Sequence, residues 1–329
     1  MWFQELTGFS EASPRQVRET ITVEGETLTS HANGRVLVCG RLDMPSLAEL
    51  RERVDSIGCL SGNLAVREVV ANVQHLYADV SNAHALFQVA SQFNLLEMVS
   101  PDVTPEHGVG IYQHDHTQGP ACAMAAGAVT IYRNDYADVN GQTGQSAHNQ
   151  LDCLADLGIA LGNAEGRLWE MRNGYPLASQ AGLVEISHRL TSSDEAERDG
   201  WRQLLRIGIQ WRTQVTLKDC THLVSHAYGS ALPVAYSRHA SSLWAPFARL
   251  ILEASYEATI CTAILNSAQH GSNRVFLTLL GGGAFGNAID WVLDGLQRAL
   301  NLYRHVELDV AIVSHGASKP AVRRLVSQF

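Results

Sequence analysis

The chain has 329 residues, 46% of them hydrophobic and 17% charged, a composition typical of a globular protein with one large domain or two modest ones. Its 33 acidic residues outnumber its 24 basic ones and give a net charge of −9. This balance argues against a partner that is bound through a broad basic surface, whether nucleic acid or a membrane.

The cysteine pattern, the N-terminal segment and the length of the apolar runs lead to an expectation about the cellular compartment. The six cysteines form no C-x-x-C pair, which favours a reduced protein of the cytoplasm, or one translocated into a host cytosol. They are Cys39, Cys59, Cys122, Cys153, Cys220 and Cys261. The N-terminal segment lacks the basic and apolar regions of a signal peptide, and no apolar run reaches the roughly 20 residues that span a bilayer.

The first half of the chain predicts short strands and one early helix. Residues 1–34 are polar and are interpreted as an N-terminal arm. The predicted strands cover 35–40, 66–73 and 84–91, and an amphipathic helix covers 45–54. A loop at 99–119, rich in Pro, Thr, His and Gly, leads into the small-residue run GPACAMAAGAVTIY. Glycine and alanine in that run permit close approach to another backbone or to a ligand.

The second half alternates helices and strands. The predicted helices cover 147–161, 194–205, 244–265 and 288–303, and the predicted strands cover 206–217, 231–236, 274–280 and 308–314. The repeated order of strand, loop, helix and strand favours an α/β fold with a mainly parallel sheet flanked by helices.

The strongest functional signal is the sequence VFLTLLGGGAFGNAIDW, in which an apolar strand ends in three glycines and a helix follows. Backbone amides of such a turn converge beyond the strand end, and the helix start adds partial positive charge. The turn is therefore suited to binding a diphosphate. No lysine is present, and the pattern is neither G-x-G-x-x-G nor a Walker motif. The alternative is a tight turn that needs glycine only for its backbone angles. The predicted contacts are Gly281, Gly282, Gly283, Ala284, Phe285, Gly286 and Asn287.

A second constellation follows the strand at 84–91. Phe93 and Asn94 lie in a turn, and Asn94 can hydrogen bond to sugar hydroxyls. Glu97, Glu106 and Asp115 supply carboxylates before a second glycine-bearing helix start at TQGPACA. The alternative is that Asn94 caps a turn and Asp115 caps the helix.

These segments carry a resemblance to macrodomains. EVVANVQHL resembles the G-D-I-T-x-L segment, FQVASQFN resembles the ribose-binding V-N-A-A-N loop, and LTLLGGGAFGN resembles the phosphate loop. With GPACAMAAG, they make the chain similar, over 62–135 and 206–316, to a divergent branch of macrodomain ADP-ribosyl hydrolases related to poly(ADP-ribose) glycohydrolase. That branch includes effector-type enzymes that act on ADP-ribosylated arginine.

The resemblance implies a macrodomain-like three-layer α/β/α fold with a mostly parallel mixed sheet and helical insertions. Residues 1–60 would be an extension packed on the core, and 61–329 the ADP-ribose-binding domain with an insertion around 140–205. The implied partners are ADP-ribose and an ADP-ribosylated protein, and no cofactor is expected. The sequence His114-Asp115-His116 could suggest a metal site, but no matching Cys or carboxylate stands at typical spacing, so no metal is expected either.

The resemblance also implies roles for individual residues. Asn94 and Phe285 would lie near the distal ribose, and Asn72 at the adenine end, where macrodomains usually have Asp. The implied contacts outside the glycine loop are Asn72, Phe93, Asn94, Glu106, Thr117, Gln118, Gly119, Pro120, Ala121 and Cys122. The G-G-G-x6–8-Q-E-E signature of poly(ADP-ribose) glycohydrolases is absent, which favours removal of mono-ADP-ribose.

Cleavage of a glycosidic bond to ribose needs carboxylates that assist the leaving group, orient water and offset positive charge. The predicted catalytic residues are Asp290 and Asp115, supported by Glu97. For Asp290, stabilisation of the helix dipole is the alternative.

Two other functions stay open: a reader that binds ADP-ribose without turnover and, ranked last, an NAD-using enzyme. The aromatic residues of the insertion (Trp169, Tyr175 and Trp201) are interpreted as core, with the rim of the pocket as the alternative. Glu253 and Glu257 are interpreted as a solvated or helix-packing face.

Overall fold

The structure is a computed structural model, which describes residues 1–58 and 61–329, so Cys59 lies outside the described residues. Its strands, in chain order, are β1 (Ile21–Glu24), β2 (Thr27–Ser30), β3 (Val36–Val38), β4 (Arg41–Asp43), β5 (Ala65–Val70), β6 (Leu86–Ala90), β7 (Asp138–Val139), β8 (Gln142–Thr143), β9 (Trp169–Arg172), β10 (Tyr175–Ala178), β11 (Gly208–Gln214), β12 (Leu223–Gly229), β13 (Arg274–Leu277) and β14 (Asp309–Ser314). Its α-helices are α1 (Trp2–Thr7), α2 (Pro14–Thr20), α3 (Leu47–Ile57), α4 (Val73–Ala78), α5 (Gln118–Ala125), α6 (Gly127–Asp135), α7 (Ala155–Leu161), α8 (Gln180–Ser192), α9 (Glu195–Gln203), α10 (Ser241–His270), α11 (Ile289–Leu302) and α12 (Pro320–Val326).

The central sheet has seven strands in the order β4-β11-β12-β6-β13-β14-β5. The five strands from β12 to β5 in this order run parallel to one another, whereas β11 runs antiparallel to both β12 and β4. The carboxyl ends of β6, β12, β13, β14 and β5 therefore meet at one edge of the sheet, where open α/β sheets bind ligands. The predicted mostly parallel mixed sheet is confirmed.

Helices cover both faces of this sheet, as the side chains of β6 illustrate. Gln88 points to one face and donates a hydrogen bond to Thr259 of α10, 2.8 Å away. Its neighbour Phe87 points to the other face and stacks on Tyr77 of α4 with ring centroids 4.0 Å apart. Alternation along a strand thus separates a layer around α10, which packs with α3, α8, α9 and α11, from a layer of α4, α5 and α6. The predicted three-layer α/β/α architecture is confirmed.

The N-terminal segment is more structured than its polar composition indicates. Helices α1 and α2 and the antiparallel sheet β1-β2-β3 form a second apolar core against α5 and α6, with Phe3, Leu6, Val17 and Ile21 buried in it. Strand β4 joins the central sheet, and α3 packs on α10. The segment before residue 60 therefore contributes to the central layers as well as packing on them.

Residues 140–205 form small hairpins and helices that cover α10. Helices α8 and α9 pack along α10, and Trp169 of β9 packs against Phe247 with ring centroids 5.3 Å apart. None of the helices in the two described ranges combines the length and hydropathy required to cross a bilayer.

Two predicted elements differ from the structure. Residues 231–236 form no strand, and Val234–Tyr236 instead make one 3-10 turn. Pro233 lacks the amide that a central strand needs, and β12 takes the position next to β6. The predicted helix at 147–161 is helical only from Ala155.

Ion pairs across the α10 layer give a first prediction. The buried carboxylate of Glu257 accepts hydrogen bonds from Arg51 of α3 at 2.6 Å and from Arg298 of α11 at 2.5 Å, so it is part of a helix-packing face. Glu257→Ala leaves two partly buried guanidinium groups without that partner. We expect a loss of about 3–5 kcal/mol in the free energy of unfolding, measured by urea denaturation. Glu52→Ala, on the exposed face of α3, is the control, and an equal effect of both variants would contradict the prediction.

Candidate functional site

A cleft opens at the carboxyl ends of three neighbouring strands, β6, β12 and β13. Ala90 and Ser91, Gly229, and Thr278 and Leu279 line it at those three strand ends, and its volume is about 240 Å³. The side walls come from the start of α5 and from the glycine loop after β13. The cleft thus lies where the parallel sheet is expected to bind a ligand.

The start of α5 forms the first wall. Gln118 joins it to β6, because its amide group donates to the carbonyl of Gln88 and accepts from the backbone amide of Ala90, both at 2.8 Å. Position 119 must be glycine, because a Cβ atom there would lie 2.1 Å from the carbonyl oxygen of Ala90. The N-cap side chain of Thr117 makes no capping bond, and proline at 120 has no amide hydrogen. The amides of Gln118 and Gly119 are therefore placed to bind an anion at the cleft.

The glycine loop forms the second wall. Gly281 has φ 68°, and a Cβ atom there would lie 2.5 Å from both Ala231 Cβ and Asn287 Nδ2. Asn287 is buried, does not line the cleft, and closes the loop by donating from Nδ2 to the carbonyl of Leu232 at 2.8 Å. Within the two described ranges, no hydrogen-bond acceptor contacts the loop amides of Gly281, Gly283, Ala284 and Phe285. These amides line the cleft opposite α5 and supply donors for a diphosphate.

Ser91 adds a buried polar group to the floor of the cleft. Ser91 is only 5% exposed, and its hydroxyl has no hydrogen-bond partner in the described part of the chain. An unpaired buried hydroxyl is costly. A ligand hydroxyl or phosphate oxygen in the cleft would satisfy it.

This hydroxyl gives a second prediction. We expect Ser91→Ala to leave thermal stability unchanged or raised, because it removes an unpaired polar group, while the affinity for a cleft ligand falls about 2- to 10-fold. Ser30 is an equally buried serine whose hydroxyl donates to Thr7 at 2.5 Å, far from the cleft. Ser30→Ala should lower the melting temperature and leave affinity unchanged. The opposite pattern for the two variants would contradict the assignment of Ser91.

A second cavity of about 240 Å³ adjoins the cleft beside α4. Asn72, Gln74, Met124 and His315 line it, and Ala121 lies on its wall. The two cavities share four residues, so they form one groove; these are Asp115, Thr117, Gln118 and Thr278. Asn72 is exposed and caps α4 by accepting from the amide of Gln74 at 2.9 Å, so its carbonyl is already engaged.

Two of the predicted catalytic carboxylates line the cleft. Glu97 is 2% exposed and pairs with Arg133, whose Nη1 and Nη2 lie 3.0 and 3.3 Å from its two oxygens. Burial raises the pKa of Glu97, and the Arg133 guanidinium opposes that rise. Asp115 is partly exposed, lies where the two cavities meet, and accepts from the amide of Thr117 at 2.8 Å. That bond forms a turn just before the N-cap residue of α5 and does not cap the amides of the first helical turn, and Asp115 lines the groove.

Two other predicted carboxylates lie outside the groove. Asp290 is exposed in the first turn of α11 and lines neither cavity. Its position fits stabilisation of the helix dipole, and the predicted catalytic role is not supported. Glu106 is exposed and accepts from the amide of Ala147 at 2.8 Å, so it ties two loops together outside the groove.

Several predicted ligand contacts are buried within the protein instead. Asn94 is fully buried and does not line the cleft, and its side chain donates to Gln150 at 2.9 Å and accepts from the amide of Leu96 at 3.1 Å. Phe93 belongs to the main apolar core. Burial in the core also raises the pKa of the Cys122 thiol, which lies beside Tyr77 on the inner side of α5. Gly282 and Gly286 belong to the loop but do not line the cleft.

Two tyrosines join the predicted contact Phe285 in an aromatic cluster at the cleft. Tyr175, Tyr236 and Phe285 lie with ring centroids 5.2–5.6 Å apart, and all three line the cleft. Tyr175 is held by a hydrogen bond from its hydroxyl to the carbonyl of Met98 at 2.6 Å. Tyr175 is thus buried and also lines the cleft, so it combines the two interpretations given for it, core and pocket rim. The available sequence signal was Asn173-Gly174, a hairpin turn that places Tyr175 at the start of β10.

The His114-Asp115-His116 sequence makes no metal site in the structure. Across the two described ranges, no three His, Cys, Asp or Glu residues are grouped so as to hold a metal ion.

Solved structures with a similar chain arrangement are poly(ADP-ribose) glycohydrolases. The enzyme from Thermomonospora curvata bound to the inhibitor ADP-HPD is 11% identical, with a TM-score of 0.46 and coverage of 96% of each chain. The enzyme from Deinococcus radiodurans in complex with ADP-ribose is 12% identical, with a TM-score of 0.45 over 88% of this chain and 94% of that chain. No family model matches the sequence, and no curated protein is significantly similar to it.

Proposed function

We propose that the chain binds ADP-ribose in the groove and hydrolyses the bond between mono-ADP-ribose and a protein side chain, with arginine as the modified residue. One observation carries the proposal. Two turns with unpaired backbone amides, one at the start of α5 and one at Gly281 and 283–285, line one cleft whose wall also carries Glu97 and Asp115. Amide donors without a lysine suit a diphosphate, and carboxylates beside it suit cleavage at a ribose.

The two cavities divide the ligand between them. The diphosphate fits the region they share, beside Thr117, Gln118 and Thr278. The cavity beside α4, with Met124 and Asn72, suits the adenine. The cleft with Glu97 and the aromatic cluster suits the distal ribose and the bond to be cleaved.

The reaction adds water across the glycosidic bond. The oxygen of water bonds to the anomeric carbon while the bond from that carbon to the side-chain nitrogen breaks, and a proton of water passes to the leaving nitrogen. Asp115 is the partly exposed carboxylate of the groove and serves as the base that orients water. Glu97 is fixed and charged by Arg133 and offsets positive charge that develops on the ribose.

Two features favour arginine as the modified side chain. A guanidinium forks onto carboxylates, and the partly exposed carboxylate of Asp115 lines the cleft. Its planar face also stacks on aromatic rings, and the cluster of Tyr175, Tyr236 and Phe285 supplies them in the same cleft.

Release of ADP-ribose from proteins modified on arginine, serine or glutamate tests the proposal. We expect release from the arginine-linked substrate, measured by chromatography of the free nucleotide. Binding of ADP-ribose without release from any linkage would contradict the hydrolase and favour the reader.

A further inference from the structure

Arg133 of α6 lies directly behind the wall of the cleft. It is fully buried and does not line the cleft. Its two terminal nitrogens donate to the two carboxylate oxygens of Glu97 at 3.0 and 3.3 Å. Because Glu97 lines the cleft, Arg133 contacts the site through this carboxylate.

The same guanidinium also fixes the backbone that carries Glu97. Arg133 donates to the carbonyl of Leu95, a residue held at φ 65° in the left-handed region. A branched residue adopts that conformation only where its surroundings impose it. Arg133 is itself held by Thr130 at 3.3 Å and by the ring of Tyr228, whose centroid lies 4.0 Å from the guanidinium carbon. Backbone and carboxylate are thus positioned by one buried group.

The tyrosine, cysteine and histidine side chains around Glu97 are uncharged near neutral pH. Burial raises the pKa values of Tyr112, whose hydroxyl accepts from the Glu97 amide, and of Cys122 and Tyr228. Burial lowers the pKa of His226 to about 3, so this imidazole is neutral. Tyr112, Cys122, Tyr228 and His226 are therefore all uncharged, and the guanidinium is the cation that offsets the carboxylate.

Three further acidic groups lie on the elements around this pair. Asp115 lines the same cleft, and Glu11 of the N-terminal segment accepts from two backbone amides. Asp135 lies two residues from Arg133 on α6, and burial raises its pKa to about 7. All three are acids, so none can replace the guanidinium as a partner of Glu97. Without Arg133, the carboxylate of Glu97 would be buried near other acidic groups and would have no cationic partner. Both effects favour its protonated form.

We propose that Arg133 is a positioning residue, which holds the Glu97 carboxylate in a fixed orientation and in its charged form at the wall of the cleft. This inference rests on the proposed function, because it assigns Arg133 a part in hydrolysis through Glu97.

The test is the pH profile of hydrolysis in Arg133→Met. Without the guanidinium, the pKa of Glu97 rises further, and the charged carboxylate is present only at higher pH. We expect the acidic limb of the kcat profile to shift upward by about one to three pH units, with activity recovering at alkaline pH. An unchanged profile in the folded variant would overturn the proposal.

Arg202→Met is the matched control. Arg202 is a 4% exposed arginine that pairs with Glu253 at 2.6 Å and Glu195 at 2.8 Å and does not line the cleft. It should lower the melting temperature without moving the pH profile. A profile shift of the same size in Arg202→Met would assign the effect to stability alone and overturn the proposal.

Arg133→Lys keeps the test decisive where the methionine variant does not fold. A lysine restores the charge without the two-pronged contact, so the acidic limb should stay near that of the unchanged protein while kcat falls. A kcat equal to that of the unchanged protein would overturn the positioning role.

A direct titration separates this inference from the proposed function. The carboxyl carbon signal of Glu97, assigned by its loss in Glu97→Gln, is followed with pH by NMR in the unchanged protein and in the Arg133 variants. A pKa of Glu97 that rises when Arg133 is replaced supports the inference even in a protein that releases no ADP-ribose. Equal pKa values overturn it even where hydrolysis is observed.

Discussion

Asp115→Asn is expected to abolish hydrolysis of ADP-ribosylated protein while leaving ADP-ribose affinity nearly unchanged. The amide oxygen of asparagine can still accept the hydrogen bond from the Thr117 amide, so the turn before α5 is kept. The base that orients water is lost, and a positioned general base contributes about 10²- to 10⁴-fold to a rate. Single-turnover release of ADP-ribose measures the rate, and calorimetry measures the affinity.

Asp290→Asn is the control for this loss. Asp290 is also an aspartate at a helix start, but it is exposed and lines neither cavity. Its substitution should leave the rate unchanged and lower stability only slightly, by about 0.3–1 kcal/mol. A large loss of rate in Asp290→Asn, with none in Asp115→Asn, would show that the wrong carboxylate is assigned.

Gly283→Ala is expected to weaken ADP-ribose binding by about tenfold or more, or about 1.4 kcal/mol. Gly283 lines the cleft, its backbone is not in the left-handed region, and a Cβ atom there meets no protein atom within 4 Å. The added methyl group therefore leaves the fold intact and occupies space next to the loop amides that are to approach the diphosphate. The affinity is measured by calorimetry and the fold by thermal denaturation.

Gly282→Ala is the matched control in the same loop. Gly282 also lies outside the left-handed region but does not line the cleft, and the nearest atom to an added Cβ is 3.3 Å away. It should bind ADP-ribose within about twofold of the unchanged protein. Equal affinities for both alanine variants and the unchanged protein would argue that the loop backbone does not contact the ligand.

The glycine loop and its flanking elements could be predicted because the signals are local. An apolar run before Gly281 and an amphipathic pattern after Asn287 place the loop between a strand and a helix, as observed in β13 and α11. Parallel strand order then brings this loop to the same sheet edge as the segment after β6. Local patterns combined with topology were sufficient for both walls of the cleft.

Strand β12 was missed because its burial depends on distant partners. His226 is fully buried, and its two ring nitrogens lie 2.9 Å from the hydroxyls of Tyr77 and Tyr228. Tyr77 is 149 positions away in the sequence. The sequence LVSHAYG therefore looks too polar for a central strand until those partners are known.

Local sequence patterns could not predict which carboxylate lines the groove, nor the role of Arg133. Asp115 and Asp290 both precede or begin a helix, and only the direction in which each faces separates a groove residue from an exposed one. Arg133 lies near the end of α6, where a basic residue normally serves the helix dipole in solvent. Its burial follows from the way α6 packs on β11, which short-range sequence patterns do not specify.

Calorimetric titration of the purified protein with ADP-ribose, ADP and AMP tests the central claim most directly. If the amides of the two turns hold one diphosphate and the adjoining cleft holds the distal ribose, ADP-ribose binds at a single site, more tightly than ADP, and ADP more tightly than AMP. Absence of binding heat with millimolar ADP-ribose, or equal affinities for all three nucleotides, would contradict it.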